Sequence, residues 1–175
     1  MKKTKPRYYA VLAMTLDGFI AKEEGQVSTS WTSKEDKRHL HKMEEEADVL
    51  LMASKSYNLV EKKLRNFNSI VLTRKVNSIK HEHEKLILLN TNAINLEEYI
   101  KKHGYKNVCV LGGRVAYNYC LKKNLLDDIY ITIEPIIFGN GLTAFNKPIS
   151  EKRFNLVSFK RFNENGTILL HYSRE

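Results

Sequence analysis

The stretches Tyr8 to Met14, Val49 to Met52, Ile70 to Leu72 and Val108 to Leu111 are apolar at every position. A strand that faces water on one side alternates apolar and polar residues, so unbroken runs mark strands covered on both faces. The segments between them carry helical spacing. Ser33 followed by Glu35 and Asp36 predicts a helix start, after which Leu40, Met43 and Ala47 share one face. Strands are expected at Ser69 to Thr73, Leu86 to Leu89, Asn107 to Leu111 and Ile129 to Ile133, with helices over 96–103, ended by Gly104, and over 115–123. Strands alternating with helices imply an α/β fold on a mostly parallel central sheet flanked by helices. The end of the chain departs from this rhythm. Phe154 to Phe162 and Thr167 to Tyr172 are strand-like and joined by Asn163-Glu164-Asn165-Gly166, which predicts an antiparallel C-terminal hairpin.

With no internal repeat, low-complexity stretch or linker, the 175 residues are expected to form a single domain spanning 1–175. A core of that size needs no disulfide or metal. Cys109 and Cys120 have no Cys or His neighbour at ligand spacing, so both are expected to be packed thiols of a reduced protein. His81-Glu82-His83-Glu84 offers alternating metal ligands, but a charged loop before a strand explains it, and no metal site is expected. His39 and His41 are expected on the exposed side of the first helix. The basic start of the chain lacks the apolar stretch of a signal peptide, and no window approaches the ~20 apolar residues of a membrane span. A cytoplasmic protein without a membrane partner is therefore expected. The net charge of +9 suits an anionic partner, but the excess lies in scattered pairs such as Lys62-Lys63 and Lys122-Lys123, which makes nucleic acid a minority reading beside small phosphorylated molecules.

Open α/β sheets bind ligands beyond the carboxyl ends of their strands, so the loops that follow strands are where chemistry is to be sought. Four of them carry suitable residues. Thr15-Leu16-Asp17-Gly18 turns the chain after the first strand. Met52-Ala53-Ser54-Lys55-Ser56 opens a helix whose free N–H groups, with the Ser56 hydroxyl and the Lys55 charge, suit a pyrophosphate. Thr73-Arg74 offers a guanidinium that can fork onto a phosphate. Gly112-Gly113-Arg114 lets backbone approach a ligand closely before a helix, although the third glycine of the G-x-G-x-x-G dinucleotide fingerprint is missing. There is no G-x-S-x-G nucleophile elbow and no P-loop, which argues against hydrolase and kinase chemistry.

Taken in order, Met14-Thr15-Leu16-Asp17-Gly18-Phe19-Ile20-Ala21, Trp31-Thr32-Ser33 with Ala47-Asp48-Val49-Leu50-Leu51-Met52, and Val110-Leu111-Gly112-Gly113 with Ile133-Glu134-Pro135-Ile136-Ile137-Phe138-Gly139 resemble the dihydrofolate-reductase-like superfamily. Within it, they are similar to the reductase domain of riboflavin biosynthesis, the RibD C-terminal type. The resemblance runs from about Tyr8 to Phe145. It implies NADPH-dependent hydride transfer to a small heterocyclic substrate, with 5-amino-6-(5-phosphoribosylamino)uracil as the candidate, and a homodimer. It assigns Ala13, Ile20, Ala21 and Thr132 to the nicotinamide, and Lys55, Ser56, Gly112, Gly113 and Arg114 to the pyrophosphate. Thr73 and Arg74 would hold the adenosine ribose phosphate. Ser30, Trp31, Asp36 and Leu40 would form the substrate wall, with Asp36 and Trp31 as catalytic residues. The paired glycines are expected to be joined by a cis peptide, and the loop from Lys22 to Ser30 to act as a lid.

The departures bear on the substrate. Glu44 stands where riboflavin-pathway reductases carry an arginine for the substrate phosphate, and Leu111 where they carry a glutamate. Asp36 follows Trp31 at the spacing of the carboxylate that bonds the pterin in dihydrofolate reductases, which keeps reduction of dihydrofolate or another pterin as an alternative. A nucleotide- or nucleic-acid-binding module without turnover is the alternative outside enzymes.

Overall fold

The computed structural model describes residues 5–145, 148 and 150–175. The strands are β1 (Arg7–Thr15), β2 (Phe19–Ala21), β3 (Val49–Ala53), β4 (Ser69–Leu72), β5 (Ile79–His83), β6 (Leu86–Leu89), β7 (Asn107–Gly112), β8 (Leu126–Glu134), β9 (Leu142–Thr143), β10 (Phe154–Arg161) and β11 (Ile168–Arg174). The helices are α1 (Lys34–Glu45), α2 (Ser54–Leu64), α3 (Leu96–Lys102) and α4 (Arg114–Lys122). Among the described residues one nine-stranded sheet has the order β10-β11-β8-β1-β7-β3-β4-β6-β5, and β2 pairs separately with β9. The pairs from β8 through β1, β7, β3 and β4 to β6 are all parallel. The hairpin β10–β11 joins β8 antiparallel, as the sequence implies.

The apolar runs are covered on both faces. Leu12, Leu51, Ile70 and Val110 pack in one buried cluster with Ile100 of α3 and Tyr117 and Cys120 of α4. Residues one position along, such as Val11, Leu50, Val71 and Cys109, pack in the other with Met43 of α1 and Tyr57 and Leu64 of α2. That is the period of two expected when neighbouring side chains of a strand leave on opposite faces. Both thiols are buried and free.

Two expectations need correction. His81, Glu82 and His83 lie in β5 rather than in a loop, pairing with β6 at the sheet's outer edge. An edge strand with little packed against it can carry polar residues at consecutive positions, which hides its period. His39 is half-buried, its ring 5.8 Å from Tyr130 and 5.8 Å from Phe162. The C-terminal hairpin folds back against α1 and covers that position. His41 is exposed as expected. Among the described residues no group of His, Cys, Asp and Glu is arranged to hold a metal, and no helix is long and apolar enough to cross a membrane.

Leu51 is fully buried at the centre of the sheet, between β7 and β4. Leu51→Ala is expected to lower unfolding stability by about 2–5 kcal/mol, the cost of lost burial plus the cavity. Urea denaturation checks this, and a loss near zero would mean that the core collapses around the gap.

Candidate active site

At the carboxyl ends of the parallel strands the chain encloses a cleft of about 1820 Å³. Sites for one drug-sized ligand measure ≈ 300–1,000 Å³, so this one has room for two molecules side by side. Ala13, Ile20 and Ala21 line it, as do Lys55, Ser56, Thr73, Arg74, Gly113 and Arg114, and Asp36 and Leu40 lie on it from α1. Those residues come from six separate segments of the chain. The remaining candidates lie elsewhere. Gly112 and Thr132 stand just behind the lining. Ser30 is exposed, and its hydroxyl donates to the Val27 carbonyl at 2.7 Å. Trp31 sets its ring edge-on to Phe138 at 5.0 Å, with Nε1 buried and unpaired among the described residues. Neither Ser30 nor Trp31 is part of the lining.

The two helices whose first turns open on the cleft at Ser54 and Arg114 differ from the others at their N-termini. Ser33 caps α1 by accepting from the Asp36 N–H, and Asn95 caps α3 by accepting from the N–H groups of Glu97 and Glu98. Ala53 before α2 and Gly113 before α4 supply no side-chain cap. Two sets of unclaimed backbone donors and two positive helix ends thus face the same space, an arrangement that suits an anion. The Gly112–Gly113 peptide is cis, as expected. A Cβ on Gly113 would come within 2.4 Å of Ser56 Oγ, and one on Gly112 within 2.7 Å of the Tyr117 ring. That ring is fixed by its hydroxyl, which donates to the Val11 carbonyl at 2.8 Å. Only residues without side chains let α2, β7 and α4 converge this closely.

The expected lid, residues 22–30, supplies part of the cleft wall. From it, Glu24 pairs with Lys55 at 3.0 Å and with Arg114 at 3.8 Å. The hydrogen bond and charge of Lys55 hold the Glu24 carboxyl below its ordinary range. An acidic side chain of this chain therefore occupies the cations that the uncapped helices carry. No motif pointed to Glu24, because nothing in its local sequence relates it to residues 31 and 90 positions away.

The α1 side of the cleft carries two carboxyls, Asp36 and Glu44, together with Lys37 and His41. Asp36 is 4 % exposed, beside the hydroxyls of Thr132 and Thr32. Burial pushes its carboxyl above the ordinary range, the two hydroxyls oppose this, and the Glu134 charge reinforces it. Glu134, at the end of β8, is buried and accepts from the Ser33 N–H at 2.7 Å and from the Thr167 hydroxyl at 2.7 Å. It was not among the expected site residues. Glu44 also lines the cleft and is likewise pushed up by burial, against a hydrogen bond from His41.

A carboxyl raised in the folded state binds its proton more readily there than in the unfolded chain. Its contribution to stability is complete below the ordinary value of 3.8 and is lost as pH rises through the folded value. Asp36→Asn removes that loss. The variant is expected to be more stable than the parent at neutral pH, with the difference closing in acid, as urea denaturation at both pH values would read. Lower stability of the variant at neutral pH would mean that ionised Asp36 is well solvated or paired in the fold.

Several known proteins are similar to this chain in sequence or in fold. The chain is 25 % identical over 171 residues to the uncharacterized protein YwjB of Bacillus subtilis (strain 168), covering 93 % of this chain and 95 % of that one. A protein provisionally assigned to riboflavin biosynthesis in Shewanella sp. PV-4 superposes with a TM-score of 0.78 at 21 % identity, over 97 % of this chain and 99 % of its own. The dihydrofolate reductase of Enterococcus faecalis, solved in complex with NADP(H) and RAB-propyl, superposes with a TM-score of 0.69 at 20 % identity, over 98 % of both chains. The family model for dihydrofolate reductase matches residues 8–173, and the chain belongs to the dihydrofolate reductase family.

Proposed function

We propose that the chain, read as one domain over 1–175, is a cytoplasmic reductase that uses NADPH to reduce a small heterocyclic substrate of the riboflavin-branch type. The observation that carries this reading is the meeting of two uncapped helix N-termini with Lys55, Arg74 and Arg114 on one cleft wall. Backbone donors and fixed cations suit the two phosphates of a dinucleotide, and the exposed guanidinium of Arg74 beside Thr73 suits the additional ribose phosphate that separates NADPH from NADH. The residues fit the cofactor, which when bound supplies the hydride.

What the chain itself contributes is position and a proton. Ala13 and Ala21 give one wall small side chains and Ile20 an apolar one, so that flat rings can lie against it. Asp36 is the only carboxyl of the lining that is nine-tenths buried, and it is suited to hold a proton or to bond the ring nitrogens of a substrate. The Thr132 hydroxyl beside it opposes the effect of burial. A buried carboxyl that bonds a ring edge also favours a second reading, reduction of dihydrofolate or another pterin. The homodimer remains part of the proposal, with support from β10, an edge strand that leaves Leu156, Val157 and Phe159 exposed.

Calorimetric titration with NADPH and with NADH tests the reading. Arg74→Ala is expected to weaken NADPH binding by about 1.5–3 kcal/mol, the range for a charged hydrogen-bonding partner, and to leave NADH binding nearly unchanged. Glu24→Gln frees Lys55 and Arg114 from an internal competitor and is expected to tighten NADPH binding, by no more than a few-fold because exposed pairs are weak. Absence of NADPH binding at millimolar concentration would overturn the cofactor assignment. Once binding is established, consumption of NADPH with a ribosylaminopyrimidine or with dihydrofolate separates the two substrate readings.

A further inference from the structure

The acidic end of the cleft contains a second carboxyl that the proposed reaction does not use. Glu134 is 3 % exposed and lies at the last position of β8, two residues after Thr132. Alternate residues of a strand share a face, so the Thr132 and Glu134 side chains leave the sheet on the same side. Both Glu134 oxygens are engaged. Oε1 accepts from the backbone N–H of Ser33, the residue that caps α1, and Oε2 accepts from the hydroxyl of Thr167, both at 2.7 Å. Ser33 Oγ in turn accepts from the backbone N–H of Asp36 at 3.2 Å. The far side of the link is also tied, since Asn163 Nδ2 donates to Thr167 Oγ at 3.0 Å and to Glu35 at 3.2 Å.

We propose that Glu134 is a positioning residue for Asp36: it anchors the first turn of α1 to the end of β8 and to the C-terminal hairpin, and it sets a second acidic side chain beside the Asp36 carboxyl. This inference rests on the reductase reading for its meaning in catalysis, but its physical content does not depend on a substrate. The groups facing Asp36 are Lys37 from its own helix, Glu134 and the Thr132 hydroxyl from β8, the Thr32 hydroxyl from the preceding loop and Tyr117 from α4. Of the two charges, Lys37 favours ionised Asp36 and Glu134 opposes it. Lys37 is exposed, so its charge is screened by water, whereas Glu134 is buried and its charge is not. The net effect of burial and of Glu134 is to raise the Asp36 carboxyl above its ordinary range.

A purely structural brace makes a different prediction. Glutamine at 134 keeps an oxygen for the Ser33 N–H and turns its amide towards the Thr167 hydroxyl, which can accept. The brace survives while the charge disappears. The test is therefore a titration of the Asp36 carboxyl carbon by NMR, on protein labelled at aspartate and assigned through Asp36→Asn, in the parent, Glu134→Gln and Glu134→Asp. The Asp36 midpoint is expected to move to lower pH in Glu134→Gln and to stay near the parent value in Glu134→Asp, which keeps the charge. Glu134→Asp shortens the reach to Ser33, so its Ser33 and Asp36 amides are expected to exchange faster with solvent than those of the parent. An unmoved midpoint in Glu134→Gln would overturn the electrostatic half, and unchanged amide exchange in Glu134→Asp would overturn the anchoring half. If Glu134→Gln does not fold, Glu134→Met, uncharged and close in volume, carries the same midpoint test, and an unmoved midpoint there would equally refute the charge effect. None of these readouts needs NADPH or substrate. Failure of the reductase reading appears in the cofactor titration, and failure of this inference appears here.

Discussion

At Gly112 and Gly113, α2, β7 and α4 approach so closely that a Cβ on either glycine would overlap a side chain of a neighbouring helix. A Cβ at Gly113 would overlap Ser56, and one at Gly112 would overlap a tyrosine ring that is itself hydrogen-bonded to β1. Everything at the basic end of the cleft follows from that convergence. Two helices can aim their N-termini at one volume only if the turn joining strand to helix is thin. Their donors are then left unclaimed because neither Ala53 nor Gly113 can cap them. A capping serine at either place would satisfy the helix internally and remove its attraction for an anion. The same residues that permit the packing therefore also create the site.

The cleft is electrostatically divided. Lys55, Arg74 and Arg114 line it where the helices begin, while Asp36 lines it from the first turn of α1 with Glu134 just beyond the lining. The net charge of +9 gives no hint of this, since most of the excess is spread over the surface. Division of this kind suits two ligands of different character in one space, a polyanion at one end and a weakly basic heterocycle at the other. It also explains why Glu24 folds across the basic end. Unpaired cations near one another repel, and an exposed carboxylate on a neighbouring loop relieves that repulsion at little cost to later displacement.

The parallel sheet, its antiparallel hairpin and the basic end of the cleft were all legible in the sequence, because each is encoded locally. Buried strands announce themselves as apolar runs, and the loops that follow them carry Lys55, Ser56, Thr73, Arg74 and Gly113 in plain order. What could not be read is what depends on distant segments meeting. Glu134 reaches Ser33 across 101 residues and Thr167 across 33, and no spacing rule links positions so far apart. His39 looked solvent-facing from the period of α1 alone, since the hairpin that covers it is contributed by the other end of the chain. Trp31 was assigned to the substrate wall on resemblance, yet its ring packs edge-on to Phe138 and is not part of the cleft lining. The strand β5 was missed for a different reason, as an exposed edge imposes no apolar period on its residues.

Asp36 shows how the acidic end is held in tension. Its burial disfavours ionisation and so weakens the fold at neutral pH, while Ser33, Glu134 and the hairpin turn prevent α1 from shifting to let water in. A protein selected for stability alone would place an asparagine or an apolar residue there. A ligand that offers hydrogen-bond donors to the carboxyl removes the penalty at the moment it binds, because the group is then paired instead of merely desolvated. Binding and stability are therefore linked through one side chain, and the rigidity around it is what makes the link specific. If α1 could move, Asp36 would relax into solvent, and the cleft would lose both the strain and the discrimination that strain provides.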